Sequence, residues 1–431
     1  MSTEIIGLLG IVILIILICL RFWIGAAFAI VGFIGIVILN GFKTAMNVIV
    51  VSPFSNIDTY VMTAVPMFTL MGMIIANTNI GIDLFDFANK LLGRKPGGLA
   101  SATVCASALI CCVTGSDNVA SVIMTKLAYP ELKKRGYNDG LACASIAAPA
   151  PLALILPPSL GFILYGMLTE QSIAKLFIAG IIPGAILAVA FIVCIVIQCK
   201  IKPSLAPLGD EFTRMEKLRS LKGVVPVAIL FVLVIGSIYM GVCTPTEAGG
   251  IGALGAFVIA LVGRNMTFSK LVKILFETVI TVGFVLFLLV GVFIFIRFMA
   301  LSKFPFMISK FVVGLDVSTG TIILLVALIY FVLGMVIPQI PLVVLTVPIL
   351  APVMVALGID MIWYGVFVIM MMALAAISPP IGLGVFIVSG ISKVPATTIY
   401  RGLVPFYIAI VCVIFLVIFF PPLATWLPGR M

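Results

Sequence analysis

Long apolar segments separated by short polar ones recur along the whole chain. A helix needs about 20 apolar residues to cross the hydrocarbon core of a bilayer, which is roughly 30 Å thick. The pattern therefore predicts membrane spans within 5–20, 24–40, 62–76, 173–198, 224–242, 248–263, 275–296 and 402–420. Ahead of the third span, residues 52–60 form a polar interlude. The first span has no basic lead-in and no small-residue cleavage site, which favours a retained helix over a signal peptide.

Two further apolar segments, 141–168 and 361–391, each contain a proline pair. A proline removes a backbone donor and clashes with the preceding turn, so each pair predicts a helix that is broken inside the membrane. Irregular backbone at that depth is tolerated only where it packs in protein or lines a wet cavity, and paired broken helices indicate a transport site. The candidate site residues at the two breaks are Pro157, Pro158 and Ser159, and Ser378, Pro379, Pro380 and Gly382.

Two more segments, 97–132 and 316–357, predict re-entrant hairpins, which enter and leave the membrane on one side. The first has two apolar limbs around a polar tip, and the second is interrupted at Ile337-Pro338-Gln339-Ile340-Pro341. A short amphipathic piece precedes each hairpin, at 83–95 and 302–311, and predicts a helix lying in the membrane interface. The candidate site residues at the tips are Thr114, Gly115, Ser116, Asp117 and Asn118 in the first hairpin, and Pro338 and Gln339 in the second. The flanking charges are Arg94, Lys95, Lys133, Lys134 and Arg135 for the first hairpin, and Asp316 and Asp360 for the second.

The two halves of the chain repeat one order of elements. The first repeat, 1–200, contains scaffold helices within 1–80, the arm 83–95, the hairpin 97–132, the broken helix 141–168 and the helix 173–198. A polar connector, 201–222, leads to the second repeat, 223–431, which contains scaffold helices within 224–296, the arm 302–311, the hairpin 316–357, the broken helix 361–391 and the helix 402–420. An odd number of crossings before each hairpin predicts hairpins on opposite sides of the membrane. The sequence thus predicts an all-α polytopic membrane protein with two inverted-topology repeats, an arrangement with which secondary transporters build one central site.

The charges of the loops agree with this inverted arrangement. Three basic residues, 133–135, follow the first hairpin. In the matching loop after the second hairpin, the only charged residue is Asp360. Basic loops tend to stay in the cytoplasm, so the first hairpin is expected to open inward and the second outward. Lys303 and Lys310 on the second arm oppose this rule, although basic side chains on an interfacial helix also reach water by snorkelling.

Composition limits the class of protein. Of the 431 residues, 63% are hydrophobic and 9% are charged, which is too apolar for a soluble protein and leaves no separate soluble domain. The net charge of +10 comes from basic residues clustered in short loops, which favours cytoplasmic loops over a nucleic-acid surface. The absence of histidine excludes histidine-based triads, and the nine cysteines stand mostly alone in apolar runs, as small core residues do. No cofactor is expected.

The four breaks are expected to converge on a site for an anion and a cation. Free amides at half-helix N-termini suit a carboxylate. Backbone carbonyl oxygens of unwound helix turns, together with the side-chain oxygens of Ser116, Asn118 and Ser378, suit a desolvated sodium ion. Asp117 is the only carboxylate in the breaks. A lone ionisable group inside a membrane is a candidate for carrying a proton or holding a cation.

Each of these side chains also has a local interpretation. Asp117 would act as the N-cap of the second limb of its hairpin. Ser116, Ser159 and Ser378 would cap helix ends. Gln339 would satisfy backbone groups that the neighbouring prolines leave free.

Three other functions compete with cation-coupled transport by a multi-component system. A membrane-embedded hydrolase would pair Ser116 or Ser159 with Lys126, but a lysine near a basic loop is more simply a cytoplasmic residue than a catalytic base. A passive channel is disfavoured if flux saturates at low concentration. A carboxylate transporter that works alone would differ in needing no binding protein.

A series of short motifs follows a specific order and spacing. They are Gly115-Ser116, Lys133-Lys134-Arg135-Gly136-Tyr137, Pro157-Pro158-Ser159 with Tyr165-Gly166, Ala179-Gly180-Ile181-Ile182-Pro183-Gly184, Thr244-Pro245-Thr246-Glu247-Ala248, Pro379-Pro380-Ile381-Gly382-Leu383 and Trp426-Leu427-Pro428. Together they resemble the large membrane subunit of tripartite ATP-independent periplasmic (TRAP) transporters over nearly the whole chain.

The resemblance implies a multi-pass protein of the bacterial inner membrane, within the ion transporter superfamily, that takes up small organic acids with a carboxylate. It implies an elevator motion driven by a sodium gradient, in which the hairpins and broken helices move against the remaining spans as scaffold. It also implies two partners, a periplasmic substrate-binding protein and a small membrane subunit of four spans.

The chain departs from the family's pattern near the presumed ion sites. Asp117 stands where the family has a small residue and Ala120 where it has an aspartate, so the carboxylate has moved by about one helical turn. Pro149-Ala150-Pro151 replaces small hydroxyl residues, and Pro338-Gln339 stands where the second hairpin often has an aspartate.

Overall fold

The computed structural model describes residues 2–93, 95–207, 209, 211–314, 317–380 and 382–431. Arg94, Asp316 and Ile381, which are named above, lie outside these ranges. Within the described residues the regular elements are all helices, which confirms the predicted all-α class. Six helices in these ranges are long and apolar enough to cross a membrane, and two bent pairs raise the number to eight.

The chain begins with α1 (Thr3–Cys19), α2 (Ile24–Asn40), α3 (Phe42–Ile57) and α4 (Ala64–Ala76). Helix α3 is not among the predicted spans, and it continues to Ile57 through most of the polar interlude 52–60. Asn56 donates from Nδ2 to the carbonyl of Ser52 at 2.7 Å, so the polar side chain bonds to its own helix instead of ending it. A 3₁₀ turn, Tyr60–Thr63, leads into α4, and the chain bends by 62° between α3 and α4.

The first arm is α5 (Ile80–Leu92), and the first hairpin consists of α6 (Gly98–Thr114) and α7 (Asp117–Lys134). The first broken helix has the pieces α8 (Asp139–Ala147), α9 (Leu152–Ile155) and α10 (Leu160–Thr169), and α11 (Ile173–Ile201) follows. This broken helix contains two interruptions, whereas the proline pair alone predicted one. The additional interruption lies at 148–151, where Pro149 and Pro151 remove two backbone donors from one turn.

The polar connector contains a helix that the hydropathy pattern does not reveal, α12 (Arg214–Ser220). Thr213 and Glu216 start it with a capping box. Oε2 of Glu216 accepts from the backbone N–H of Thr213 at 2.7 Å, and Oγ1 of Thr213 accepts from the N–H of Glu216 at 3.3 Å. These reciprocal bonds satisfy two donors that the first turn of a helix leaves free.

The second half begins with α13 (Val225–Phe231) and α14 (Ser237–Tyr239), joined by a π turn at Val232–Gly236, and continues with α15 (Pro245–Val262), α16 (Phe268–Ser302) and α17 (Phe304–Val313). Its hairpin is α18 (Thr319–Gly334) with α19 (Gln339–Ala356), its broken helix is α20 (Met361–Ile377) with α21 (Leu383–Ser392), and α22 (Ala396–Phe419) and α23 (Pro422–Thr425) complete it. Helix α16 extends beyond the predicted span 275–296 at both ends. Its first turns carry Lys270 and Lys273, so hydropathy detects only the apolar part of a longer helix.

Helices outside the hairpins and broken helices pack closely through glycines. Helix α2 packs against α16, and α4 packs against α15. A methyl group at Gly291 of α16 would overlap the carbonyl of Gly25 in α2, so the two backbones touch there. Small residues at such points allow membrane helices to approach each other.

The hairpins and broken helices of the two halves pack crosswise. Helix α10 of the first broken helix packs against α19, and α21 of the second packs against α7. In the same way α8 packs against α22, and α20 packs against α11. Helix α20 is buried from Trp363 to Ile377. This packing of each half against the other brings the breaks of both halves together.

Candidate transport site

The tip of the first hairpin is a turn formed by Gly115 and Ser116. Gly115 has a φ of +58°, a left-handed conformation that suits glycine and ends α6. Ser116 is the N-cap of α7, where its Oγ accepts from the N–H of Val119 at 3.5 Å. These local features explain why the hairpin has two short limbs instead of one long helix.

Serine hydroxyls satisfy backbone groups at the two broken helices. Oγ of Ser159 donates to the carbonyl of Leu154 in α9 and accepts from the N–H of Phe162 in α10 at 3.3 Å. Oγ of Ser378 donates to the carbonyl of Leu374 in α20 at 2.8 Å. Both serines are buried and make the local bonds that the capping interpretation requires. A role for them in ion binding stays a prediction.

Asp117 connects the two hairpins. It is the first residue of α7 and is 8% exposed. Its Oδ1 accepts from the N–H of Asn118 at 2.9 Å, and its Oδ2 accepts from Nε2 of Gln339 at 3.2 Å. The N-cap of α7 is Ser116, so the interpretation of Asp117 as the N-cap is wrong. In this bond the side-chain amide of Gln339 donates to the opposite hairpin instead of to backbone groups beside its own prolines.

Contacts join the four breaks in series. Gly115 lies so close to Pro158 that a β-carbon on the glycine would come within 2.7 Å of the proline carbonyl, which connects the first hairpin with the first broken helix. The bond between Asp117 and Gln339 connects the two hairpins. Gln339 also lines a small cavity with the end of α20 and the start of α21. The structure thus brings together the breaks that the sequence predicted to converge.

The two proline pairs differ in exposure. Pro157 and Pro158 are buried, whereas Pro379 and Pro380 are exposed. A cis peptide bond joins each pair. In this conformation the second break is reachable from outside the protein, and the first is enclosed.

Tyr407 of α22 contributes to the second break and is not among the candidate residues predicted from the sequence. Its hydroxyl donates to the carbonyl of Ile377, the last residue of α20, at 2.7 Å. The bond satisfies a carbonyl that the end of the helix leaves free. The only signal in the sequence is a hydroxyl in an apolar span, which Tyr400 shares two turns earlier.

The three predicted sodium ligands have different surroundings. Ser116 lines a cavity of about 50 Å³ with Thr114 and Gly115. Asn118 is exposed and lines another cavity of about 630 Å³. Ser378 is buried with its hydroxyl turned to its own helix. Sodium binding by these three side chains together stays a prediction. Within the described residues, no group of three or more cysteine, aspartate and glutamate side chains could hold a metal ion.

Two of the three departures from the family's pattern lie around the first hairpin, and the third, Pro338-Gln339, lies at the tip of the second. Ala120 is buried on α7, one turn after Asp117. Pro149 and Ala150, in the additional interruption, accept weak hydrogen bonds from Sγ of Cys111 at 3.8 and 3.5 Å. The first two departures therefore lie on α7 and on a broken-helix segment that packs against α6.

Comparisons with known proteins agree with the resemblance seen in the motifs. The family model "Tripartite ATP-independent periplasmic transporter, DctM component" matches residues 11–423. The sialic acid TRAP transporter large permease protein SiaM of Vibrio cholerae is 31% identical over 414 residues, covering 94% of this chain and 96% of SiaM. The C4-dicarboxylate TRAP transporter large permease protein DctM of Pseudomonas aeruginosa is 28% identical over 400 residues, covering 90% of this chain and 93% of DctM.

The fold is also similar to that of solved structures. MtrF of Neisseria gonorrhoeae matches with a TM-score of 0.61 and 14% sequence identity, covering 89% of this chain and 84% of MtrF. At this identity the similarity concerns the fold alone.

Proposed function

The chain belongs to the DctM-component family of tripartite ATP-independent periplasmic transporters. We propose that it takes up a small organic acid by cotransport with a cation and that this cation is sodium. It is a multi-pass protein of the bacterial inner membrane, and its relatives are permease subunits, not enzymes. The observation that carries the proposal is the junction of four helix breaks, at whose centre Gln339 is bonded to Asp117.

The first half of the junction suits a carboxylate. Helix α7 begins after Ser116 and α10 after Ser159, and the contact of Gly115 with Pro158 brings these two helix starts close together. Free amide groups and the positive end of the helix dipole stabilise a negative charge there. The similar proteins are named for sialic acid and C4-dicarboxylate, which are carboxylates. We extend that class of solute to this chain.

Asp117 gives the cation a role at the junction. A carboxylate without a counter-charge is costly in a membrane interior. Its charge also opposes the binding of an anionic solute nearby. A bound cation offsets both effects, so ion and solute are expected to bind more tightly together than alone. Backbone carbonyls at the breaks and the hydroxyl of Ser116 are oxygen donors of the kind that hard cations such as sodium prefer.

We propose an elevator motion for the transport step. The crosswise packing of α7 with α21 and of α10 with α19 makes the hairpins and broken helices one unit. That unit would move against the scaffold formed by the other spans. Two repeats of inverted topology would then expose the same junction first to one side of the membrane and then to the other.

The tripartite family name implies further components. We propose that the partners are a periplasmic substrate-binding protein and a small membrane subunit of four helices. A carrier that works without the binding protein is the alternative. The two differ in one measurable property, the dependence of uptake on added binding protein.

Uptake by proteoliposomes tests the proposal. The chain would be reconstituted with its small subunit, with and without the binding protein, and supplied with a panel of radiolabelled organic acids that includes sialic acid and succinate. We expect accumulation of one carboxylate only when an inward sodium gradient and the binding protein are both present. Uptake that ignores sodium and proton gradients alike would remove cation coupling. Full uptake without the binding protein would establish the alternative.

A further inference from the structure

A large cavity lies between the first hairpin and the scaffold. It has a volume of about 630 Å³, and residues of α4, α5, α7 and α16 line it. On α7 the lining residues Asn118, Val122 and Lys126 recur at every fourth position, so one face of that helix forms a wall. Asn118 and Lys126 are exposed, so the cavity is open to the surroundings of the protein.

The charges on the cavity wall do not cancel. Glu277 of α16 lines the cavity, but its Oε1 lies 3.8 Å from Nζ of Lys273, which offsets its negative charge. Lys126 has no ion pair or hydrogen bond with any residue that the structure describes. The side chain that remains without a counter-charge is therefore a cation.

The cavity adjoins the transport site. It shares Met73 and Val119 with the smaller cavity at the hairpin tip, which Ser116 lines. A solute that leaves the tip on this side would move along the exposed face of α7 towards Lys126.

We propose that this cavity is a passage for the anionic solute and that Lys126 attracts the solute's carboxylate within it. The proposal rests on the proposed function, because it takes the solute to be an anion that binds at the hairpin tip. Lys126 lies about 12 Å from Asn118 along the axis of α7. An unpaired cation at that distance raises the local concentration of anions and lowers that of cations. Lys126 would thus favour entry and release of an anion without touching the junction itself.

Charged thiol reagents measure this electrostatic effect without knowledge of the solute. Asn118→Cys places a thiol in the cavity, and two methanethiosulfonates of similar size, one with a sulfonate and one with a trimethylammonium group, modify it. Mass spectrometry of the labelled peptide would separate position 118 from the native cysteines. We expect Lys126→Gln to lower the ratio of the sulfonate rate to the trimethylammonium rate on the order of tenfold.

Two matched variants control for changes other than charge in the cavity. Glu277→Gln removes the opposite charge from the same wall and should raise the ratio. Lys134→Gln removes a lysine at the far end of α7 and should change the ratio less than twofold. Val122→Cys replaces Asn118→Cys as the labelled position if the latter variant does not fold.

Each outcome decides the proposal separately from the proposed function. A ratio that Lys126→Gln leaves unchanged, or a thiol that reacts with neither reagent, overturns the passage and the role of Lys126, even if gradient-driven uptake is observed. The expected shift in the ratio supports the passage, even if liposome uptake shows no cation coupling. In that case only the cation coupling of the proposed function fails, and uptake of an anionic solute stands.

Discussion

Gln339 donates a hydrogen bond from Nε2 to Oδ2 of Asp117 at 3.2 Å, across a sequence separation of 222 residues. The two residues stand in the first turns of α7 and α19, so the bond crosses from one hairpin to the other. A hydrogen bond to a charged group contributes about 1.5–3 kcal/mol, more than a bond between neutral groups. Because the bond joins the two tips, we expect a change in the conformation of one hairpin tip to alter the conformational free energy of the other.

Replacement of the glutamine tests this coupling. Gln339→Leu keeps the approximate volume of the side chain but leaves Oδ2 of Asp117 without its donor. We expect the initial rate of solute uptake to fall at least tenfold, because the lost bond is worth about 1.5–3 kcal/mol. Gln171→Leu is the control, since the amide of Gln171 donates only to the nearby carbonyl of Thr169. Equal uptake rates for the two variants would show that the hairpins do not depend on the bond.

The charge of Asp117 has a separate effect. Asp117→Asn preserves the shape of the side chain and removes its negative charge. We expect the protein to insert into the membrane normally, but the response of uptake to an imposed cation gradient should be lost or strongly reduced. Asp86→Asn on α5 is the control, because Asp86 is half exposed and pairs with Lys90 at 2.6 Å. Gradient-driven uptake at the wild-type level in Asp117→Asn would exclude a role for this carboxylate in coupling.

The helix breaks could be predicted because their causes are local. Pro157 and Pro158 remove backbone donors wherever they stand, and a glycine followed by Ser116 ends one helix and caps the next. The bounds of α2 coincide with the predicted span 24–40 for a similar reason, since Gly41 ends its apolar run with a positive φ and Arg21 lies three positions before its first residue. Local chemistry was therefore enough to locate the pieces of the candidate site.

The connections between these pieces could not be predicted. The bond between Asp117 and Gln339 depends on how two hairpins pack, which a single sequence does not contain. Ser116 and Asn118 are two positions apart, yet one lines the tip cavity and the other the large cavity, because successive residues of a helix point in different directions. For the same reason Tyr407 could not be distinguished from Tyr400 before α22 was positioned beside the second break.

The hydroxyl of Tyr407 is expected to stabilise the second break. Tyr407→Phe removes the donor to the carbonyl of Ile377 and leaves that carbonyl unsatisfied, at a cost of about 1–3 kcal/mol. We expect a lower midpoint of thermal unfolding in detergent and slower uptake. Tyr60→Phe is the control, because the side chain of Tyr60 is 61% exposed. Identical unfolding midpoints for both variants would mean that the carbonyl of Ile377 does not need this donor.

The last prediction concerns the contact of the scaffold with the first hairpin. A methyl group at Gly72 of α4 would overlap the carbonyl of Thr114 at the end of α6, so Gly72→Ala should push the hairpin away from α4. Gly283→Ala on α16 is the matched control, because no other side chain or helix lies within 4 Å of its added methyl group. Both variants gain the same helix propensity, up to about 1 kcal/mol, so a difference between them isolates the contact. We expect Gly283→Ala to unfold at the same or a higher temperature and to transport normally, and Gly72→Ala to unfold at a lower temperature and to transport slowly. If Gly72→Ala matches Gly283→Ala in both measurements, α4 and the hairpin tip do not pack as closely in the membrane as the structure shows.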